Sequence, residues 1–143
     1  MASELRVNTL KDASGNNSIA TSFVAGGSAK LWLNLNGAAT FDSSDTEIND
    51  SFNVGSTIDN GTGDYSITFT STMADGNYAF GGTTRSNNAG AGTRGVNGIM
   101  SNNSTAETGS GFRIFSAYGS TASSDGAFHD SSVTMVAVHG DLA

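Results

Sequence analysis

The side chains that most often carry out chemistry are few and scattered in this sequence. It has two histidines, His129 and His139, and no cysteine, which excludes disulfides and thiolate metal sites. Neither histidine has acidic residues at a spacing that suggests a shared metal ion. No serine lies in the Gly-x-Ser-x-Gly motif of a nucleophile elbow. The sequence therefore predicts a protein that is not an enzyme, with no catalytic residue, no cofactor and no bound metal.

The acidic residues form two groups that invite comparison with calcium loops. Asp42, Asp45 and Glu47 lie in one polar segment, and Asp59 and Asp64 flank a turn that contains glycine. A calcium loop places several oxygen ligands at fixed spacing around a sharp glycine turn, and neither segment has that spacing. Both segments are therefore predicted to be solvated turns. Two carboxylates brought together by the fold would suffice for a glycosidase, and this alternative stays open.

The charge of the chain argues against nucleic acid as a partner. The formal net charge is −7, and the six basic residues are spread singly along the sequence. Without a basic stripe to neutralise phosphates, no nucleic-acid binding is expected. No apolar run approaches the ~20 residues of a membrane span, so no membrane insertion is expected. The first residues also lack the charged-then-apolar pattern of a secretion signal.

The elements that must position any site are β-strands, and the stretch from 59 to 82 indicates this most clearly. Residues 65–69 alternate between large apolar and hydroxyl-bearing side chains, the period-two pattern of a strand with one buried face. Residues 78–80 restart the pattern after an interruption. We expect two neighbouring strands joined by a short loop. A turn at 60–63 precedes them, because glycine adopts a positive φ without steric cost.

Residues 1–27 are predicted to form an N-terminal arm, and residues 28–143 the main domain. Alternating runs at 5–9 and 19–23 flank a turn cluster at 12–17, which is typical of a hairpin. Such a hairpin is marginally stable alone, so we expect it to pair with another chain or to dock on a partner. An edge hairpin packed on its own domain is the alternative. The residues predicted to dock on the partner or to lie between chains are Leu5, Val7, Leu10, Ile19, Phe23 and Trp32.

Trp32 lies on the polar side of the next predicted strand, residues 29–36. Leu31, Leu33 and Leu35 share the other face of that strand. Tryptophan is enriched at interfaces because it buries a large area and keeps a polar group. Trp32 is therefore predicted either to be exposed for recognition, to contact another subunit, or to pack on the arm of its own chain.

The second half of the chain is predicted to contain further strands separated by polar loops. Residues 52–54 indicate a short strand, and 96–100 indicate another within the long polar stretch 81–111. Strands at 112–118 and 133–139 complete the sheet, and the last is apolar on both faces, which suits a strand covered on both sides, one cover being a neighbouring subunit. The residues predicted for outward recognition, of another subunit or an acidic glycan, are Arg85, Arg94, Asn97, Tyr118 and His129.

Five consecutive segments carry a resemblance. They are ASELRVNTLKDASGNNSI (2–19), SAKLWLNLNG (28–37), DSFNV (50–54), GTGDYSITFT (61–70) and MADGNY (73–78). Together they resemble the tail-fibre and appendage proteins of marine, cyanophage-like tailed bacteriophages. The resemblance covers residues 2–82 in order.

The resemblance implies a structural protein of the virion, usually a trimer, with its N-terminal part attached to the particle and its C-terminal part facing outward. The second half is similar in pattern to small trimeric sandwich lectins, which bind sugar between subunits. Pattern and resemblance together predict an all-β protein. It would be an antiparallel β-sandwich, of the jelly-roll or small trimeric lectin-like type, preceded by an extended N-terminal β arm.

The resemblance also implies partners and a location. It implies a homotrimer at the surface of an extracellular particle, assembled in the host cytoplasm. Other virion proteins of the tail or capsid, and a host-surface glycan, are the implied partners. Host adsorption by a tail fibre or appendage is the first function implied. A capsid decoration or head-fibre protein that stabilises the shell is the alternative, and a carbohydrate-binding module is the second alternative.

Overall fold

The computed structural model describes residues 6–15, 18–42, 46–85, 94–101, 105–120 and 126–143. These residues form β-strands and one short helix. In chain order the elements are β1 (Thr9–Lys11), β2 (Ser18–Ala20), α1 (Thr21–Gly27), β3 (Leu31–Leu35), β4 (Ile48–Phe52), β5 (Val54–Gly61), β6 (Asp64–Phe69), β7 (Ala79–Thr84), β8 (Arg94–Ser101), β9 (Gly111–Ser120), β10 (Gly126–Phe128) and β11 (Thr134–His139).

The strands form a small hairpin and two larger antiparallel sheets. In the arm, β1 pairs with β2. A four-stranded sheet has the order β4-β3-β11-β7. A five-stranded sheet has the order β5-β6-β9-β10, with β8 also paired to β9. The predicted all-β, antiparallel sandwich is confirmed.

The core lies between the two larger sheets and is built from alternate residues of their strands. Successive side chains of a strand point to opposite faces, so every second residue of β3, β6, β9 and β11 is available to the core. The predicted buried faces at 31–35, 65–69 and 112–114 are confirmed. The buried cluster is Leu31, Leu33, Leu35, Tyr65, Ile67, Phe69, Met73, Phe112, Ile114, Val136 and Val138.

The prediction that the strands at 65–69 and 78–80 are neighbours is wrong. β6 pairs with β5 and β9, whereas β7 pairs with β11 in the other sheet. The intervening segment crosses from one sheet to the other, and Met73 is buried on the way. Tyr78 and Phe80 then approach Phe112 across the core, with ring centroids 6.1 and 5.3 Å away. The Tyr78 ring also meets the Phe69 ring edge-on, with centroids 5.4 Å apart, so the two runs contact each other by packing across the core rather than by strand pairing.

The prediction of one short strand at 52–54 is also wrong, because Asn53 divides it. Asn53 has a φ of 60°, a left-handed conformation that asparagine adopts more readily than most residues. Its side-chain amide donates hydrogen bonds to the carbonyl oxygens of Lys30 (2.9 Å) and Ser71 (3.0 Å). These bonds hold the corner at which the chain leaves β4 in one sheet and enters β5 in the other.

The arm is a hairpin followed by a helix, so the prediction that a strand continues through residue 23 is wrong. β2 ends at Ala20, which pairs with Thr9, the first residue of β1. The Thr21 amide then donates to the Asn8 carbonyl oxygen (3.0 Å), and its hydroxyl donates to Val7 (3.1 Å). Among the described residues no partner strand extends further, and the chain turns into α1. Leu5 lies outside the described residues.

Two strands of the second half agree with the sequence. The strand predicted at 96–100 is confirmed and extends over Arg94–Ser101. In β11, Val136 and Val138 are buried, as expected for one face. The other face of β11 is open in the single chain, where Met135 is exposed.

Candidate functional site

The described part of the arm, residues 6–15 and 18–27, presents apolar side chains to solvent. Among its described residues only Ala20 and Thr21 are even half-buried. Phe23 is 73% exposed, and α1 contains no buried residue. Short hairpins and helices of this length are marginal in water without tertiary packing, so the fold of the arm is incomplete within one chain. The other exposed apolar residues of the arm are Val7, Leu10, Ile19 and Val24.

A hinge at residues 28–30 fastens the arm to the sandwich. The Lys30 ammonium group donates hydrogen bonds to the carbonyl oxygens of Ala25 and Ser28, the second at 2.8 Å. The Lys30 amide donates to the Val138 carbonyl oxygen at 2.8 Å. The end of α1 is therefore tied directly to the first residue before β3.

The second apolar surface is the side of the four-stranded sheet that faces away from the core, here called the outer face. Strand register aligns Phe52, Trp32, Ala137 and Gly81 in one row across β4, β3, β11 and β7. Met135 lies in the adjacent row. Phe52 is 53%, Met135 43% and Trp32 40% exposed. The outer face thus has one apolar row, beside a row in which Met135 lies among Asp50, Asn34 and Thr83.

Glu47 is placed differently from the sequence prediction, which expects a solvated turn. Its side chain is only 2% exposed, because β4 begins at the next residue and brings it beneath β5. One carboxylate oxygen accepts a hydrogen bond from the Thr57 hydroxyl at 2.6 Å. The other has no partner among the described residues. With Glu47, the residues that line a cleft of about 550 Å³ are Phe41, Asp42, Ser56, Thr57, Ile58 and Asp59.

A second cleft, of about 530 Å³, opens where β8, β9 and β10 meet. The rings of Phe115 and Phe128 stack beside it, with centroids 4.4 Å apart. Its wall is mainly apolar, whereas small-molecule pockets need a few polar groups to fix the orientation of a ligand. The residues that line this cleft are Gly98, Met100, Ala117, Tyr118, Gly119, Ala127 and Phe128.

Three of the five residues predicted for outward recognition lie together beside this second cleft. The His129 ring meets the Tyr118 ring edge-on, with centroids 5.4 Å apart. The His129 Nε2 atom lies 3.5 Å from the Arg85 carbonyl oxygen. The side chains of Arg94 and Asn97 lie outside the described part of the chain. The structure thus brings three of the five predicted residues together, and their role in recognition stays a prediction.

Sequence reasoning missed a buried polar cluster around Asp130. Its Oδ1 atom accepts hydrogen bonds from the Gly63 amide (2.6 Å) and the Tyr65 hydroxyl (3.0 Å). The Tyr65 oxygen also lies 3.3 Å from the Gly37 carbonyl oxygen. Burial, together with the hydrogen bond to Asp130, raises the pKa of Tyr65 above its usual range. The cluster ties the turn between β5 and β6 to the segment after β10, which is a structural role.

Tyr78 is a second tyrosine packed against the core, and it is partly buried. Its hydroxyl donates to the Gly111 carbonyl oxygen at 3.0 Å. Burial, reinforced by the negative charge of Glu107, raises the pKa of Tyr78 to about 12, from a reference value of 10.0. The folded protein therefore holds this proton more tightly than the unfolded chain does.

We expect the free energy of unfolding to fall as the pH rises from about 10 towards about 12. The raised pKa of Tyr78 contributes its full stability at any pH below the pKa of the tyrosine in the unfolded chain. This contribution is lost as the pH rises through the pKa of Tyr78 in the folded protein. Urea unfolding of the wild type and the Tyr78→Phe variant at several pH values measures this. The variant should lose less stability over that interval, and an equal loss in both proteins would contradict the prediction.

The described residues offer no metal centre and no membrane span. No three of their histidine, aspartate or glutamate side chains come close enough together to hold a metal ion. No helix within the described ranges is long and apolar enough to cross a membrane. No family model, no curated protein and no solved structure matches the chain. Its function must therefore be argued from its own surfaces.

Proposed function

We propose that this protein is a structural component of a bacteriophage virion, a homotrimeric tail fibre or appendage that acts by assembly rather than by catalysis. The single observation that carries the proposal is the exposed arm. Its helix has no buried residue, and Phe23 leaves 73% of its surface in contact with solvent. An element of this kind gains its stability only when a partner covers its apolar side chains.

Two further observations support the proposal. The segments that resemble phage tail-fibre and appendage proteins include the arm and the strands β3 and β6. The outer face adds a second exposed apolar surface, which includes Trp32 and Phe52. A chain without cysteine has no disulfide to stabilise it, so burial of both surfaces between copies would supply that stability.

The proposal assigns separate roles to the two ends of the chain. The arm binds neighbouring copies and the particle. The sandwich faces outward, and the end that carries Tyr118, His129 and Arg85 is the candidate for contact with a host surface. A capsid decoration or head-fibre protein is the alternative to a tail appendage, and the position of the protein on the particle separates the two.

We expect the full chain to have three times the mass of its 14.5 kDa monomer at micromolar concentration. A Phe23→Ser, Val24→Ser variant should dissociate, because it replaces two exposed apolar contacts of the arm while removing nothing from the core. Light scattering measures the mass, and the fluorescence of Trp32, the single tryptophan, should shift to the red on dissociation.

The matched control is Ile58→Ser, which replaces an apolar residue whose exposure of 52% lies between those of Val24 and Phe23, outside both the arm and the outer face. It should remain trimeric. A wild-type mass of 14.5 kDa would contradict the proposal. Imaging of tagged protein on intact particles then separates a tail appendage from a capsid decoration protein, and failure to find it on any particle would overturn the virion role.

Carbohydrate binding is the second candidate function, and the cleft at Glu47 favours it. The buried Glu47 carboxylate orients the Thr57 hydroxyl, which donates to it and can still accept a hydrogen bond from a sugar hydroxyl. Phe41, Ser56 and Thr57 add an aromatic ring and two hydroxyl groups to the same cleft. A glycan array on which the wild type binds nothing would remove this candidate.

A further inference from the structure

We propose that the arm of each copy lies on the outer face of the four-stranded sheet in a neighbouring copy. The inference rests on the proposed self-association and names the two surfaces that meet. Each is an exposed apolar surface, and both occur on every chain. A contact between different surfaces of identical chains closes into a ring when the rotation between copies allows it, as a trimer requires.

The outer face has the shape to receive a bulky side chain. The side chains of Trp32 and Met135 project from β3 and β11. Ala137 has a small side chain and Gly81 has none, so a depression lies beside them. A β carbon built at Gly81 meets no atom within 4 Å. The floor of this depression is therefore open, and Phe23 is the most exposed large apolar side chain of the arm.

Charge favours the arm over a second sandwich as the occupant of the outer face. Residues 1–27 contain two basic and two acidic residues, so the whole net charge of −7 resides on residues 28–143. Direct contact between two sandwiches brings like charges together, which opposes association. The neutral arm avoids this repulsion. Lys11 of the arm also carries the charge opposite to that of Asp50, which lies on the outer face in register with Asn34.

The short hinge favours exchange of the arm between copies of the chain. It has only three residues, 28–30, and the hydrogen bonds of Lys30 hold the end of α1 beside the start of β3. Short hinges favour the exchange of an element between identical chains, because they restrict how the element folds back on its own chain.

Closure of a ring lets each chain make the contact twice. Aromatic side chains bury roughly 150–250 Å² each, so Phe23 brings roughly 110–180 Å² of exposed surface from the arm, and Trp32 and Phe52 bring roughly 100 Å² each from the outer face. One such contact is smaller than a standard specific interface, which buries about 800 Å² per partner. In a closed ring every chain gives one arm and receives another, so the contacts reinforce one another.

The first test adds side-chain volume to the floor of the outer face. Gly81→Val should raise the dissociation constant of the trimer at least tenfold, because the new side chain occupies the space proposed for the arm. Gly98→Val is the matched control, since Gly98 also lies in a strand and its β carbon also meets nothing within 4 Å, but it lines the cleft at β8–β10. It should leave the dissociation constant unchanged, and each variant is checked for wild-type circular dichroism.

The second test uses the absence of cysteine from the wild-type chain, so engineered thiols have no background. Ser22→Cys in a tagged chain is mixed with Thr83→Cys in an untagged chain, which places one thiol on the arm and one on the outer face. Mild oxidation should join tagged to untagged chains. The control replaces Thr83→Cys with Ser56→Cys, on an exposed position of β5, and should give at least tenfold less of the mixed disulfide.

The outcomes separate this inference from the proposed function. A wild-type chain that is monomeric by light scattering overturns both. A trimer that Gly81→Val leaves intact, with no excess of the arm-to-outer-face disulfide over the control, overturns only the arm exchange. In that case the arm is available for the particle, and the trimer uses another surface.

Discussion

The Gly82→Ala variant is expected to lose about 3 kcal/mol of its free energy of unfolding, the upper end of the usual cost of overpacking. A β carbon at this position would lie 2.0 Å from the carbonyl oxygen of Met135 and 2.7 Å from the terminal methyl of Ile99. The Ile99 side chain can rotate away, but the carbonyl oxygen belongs to the backbone of β11. Relief of that contact requires the edge strand β7 to separate from β11, which breaks the hydrogen bonds that hold β7 in the four-stranded sheet.

Gly98→Ala is the matched control for this effect. Its β carbon meets no atom within 4 Å, and alanine restricts the unfolded chain more than glycine does. We therefore expect the control to be unchanged or more stable by up to about 1 kcal/mol. Urea unfolding monitored by circular dichroism measures both variants. Equal stability of Gly82→Ala and Gly98→Ala would contradict the close packing of β7 on β11 at Gly82.

The buried faces of the strands were predictable because they depend on local alternation. Leu31, Leu33 and Leu35 are buried and their neighbour Trp32 is exposed, as the period of two requires. The same pattern identified the buried side of β6 and of β9. Each of these statements needs only a few consecutive residues, so one sequence is enough.

The pairing of strands was not predictable in the same way, because it depends on residues that are far apart in sequence. β6 and β7 are consecutive strands, yet they lie in different sheets, and the choice is made by packing of Tyr78 and Phe80 on Phe112. Asn53 is a local signal that the prediction of one strand at 52–54 overlooked, since asparagine tolerates the left-handed conformation that turns this corner.

The candidate surfaces were predictable in part. Trp32 stood out because a large aromatic residue lay on a polar face, and its exposure supports that interpretation. Glu47 was misassigned because its burial depends on the Thr57 hydroxyl of another strand. Asp130 gave no signal, since an aspartate in a polar loop resembles any solvated turn until the fold brings Gly63 and Tyr65 to it.

The Asp130→Ala variant is expected to lose about 3 kcal/mol or more of its free energy of unfolding, since each donor left without an acceptor costs about 1–3 kcal/mol. The substitution leaves both the Gly63 amide and the Tyr65 hydroxyl without this acceptor. Gly63 has a φ of 65°, so its turn is restricted to few residue types and depends on this support. Asp141→Ala, an exposed aspartate near the end of the chain, should stay within about 0.5 kcal/mol of wild type.

A double-mutant cycle separates the two bonds that Asp130 accepts. Tyr65→Phe removes one donor together with its need for a partner, so it should cost less than Asp130→Ala, about 1–2 kcal/mol. In the Tyr65→Phe background, Asp130→Ala leaves only the Gly63 amide unpaired. Its cost should therefore fall, with a coupling energy of about 1 kcal/mol or more, as expected for directly bonded residues. Strict additivity in urea unfolding would mean that Asp130 stabilises the fold through the Gly63 turn alone, and that the Tyr65 hydroxyl is held by the Gly37 carbonyl oxygen instead.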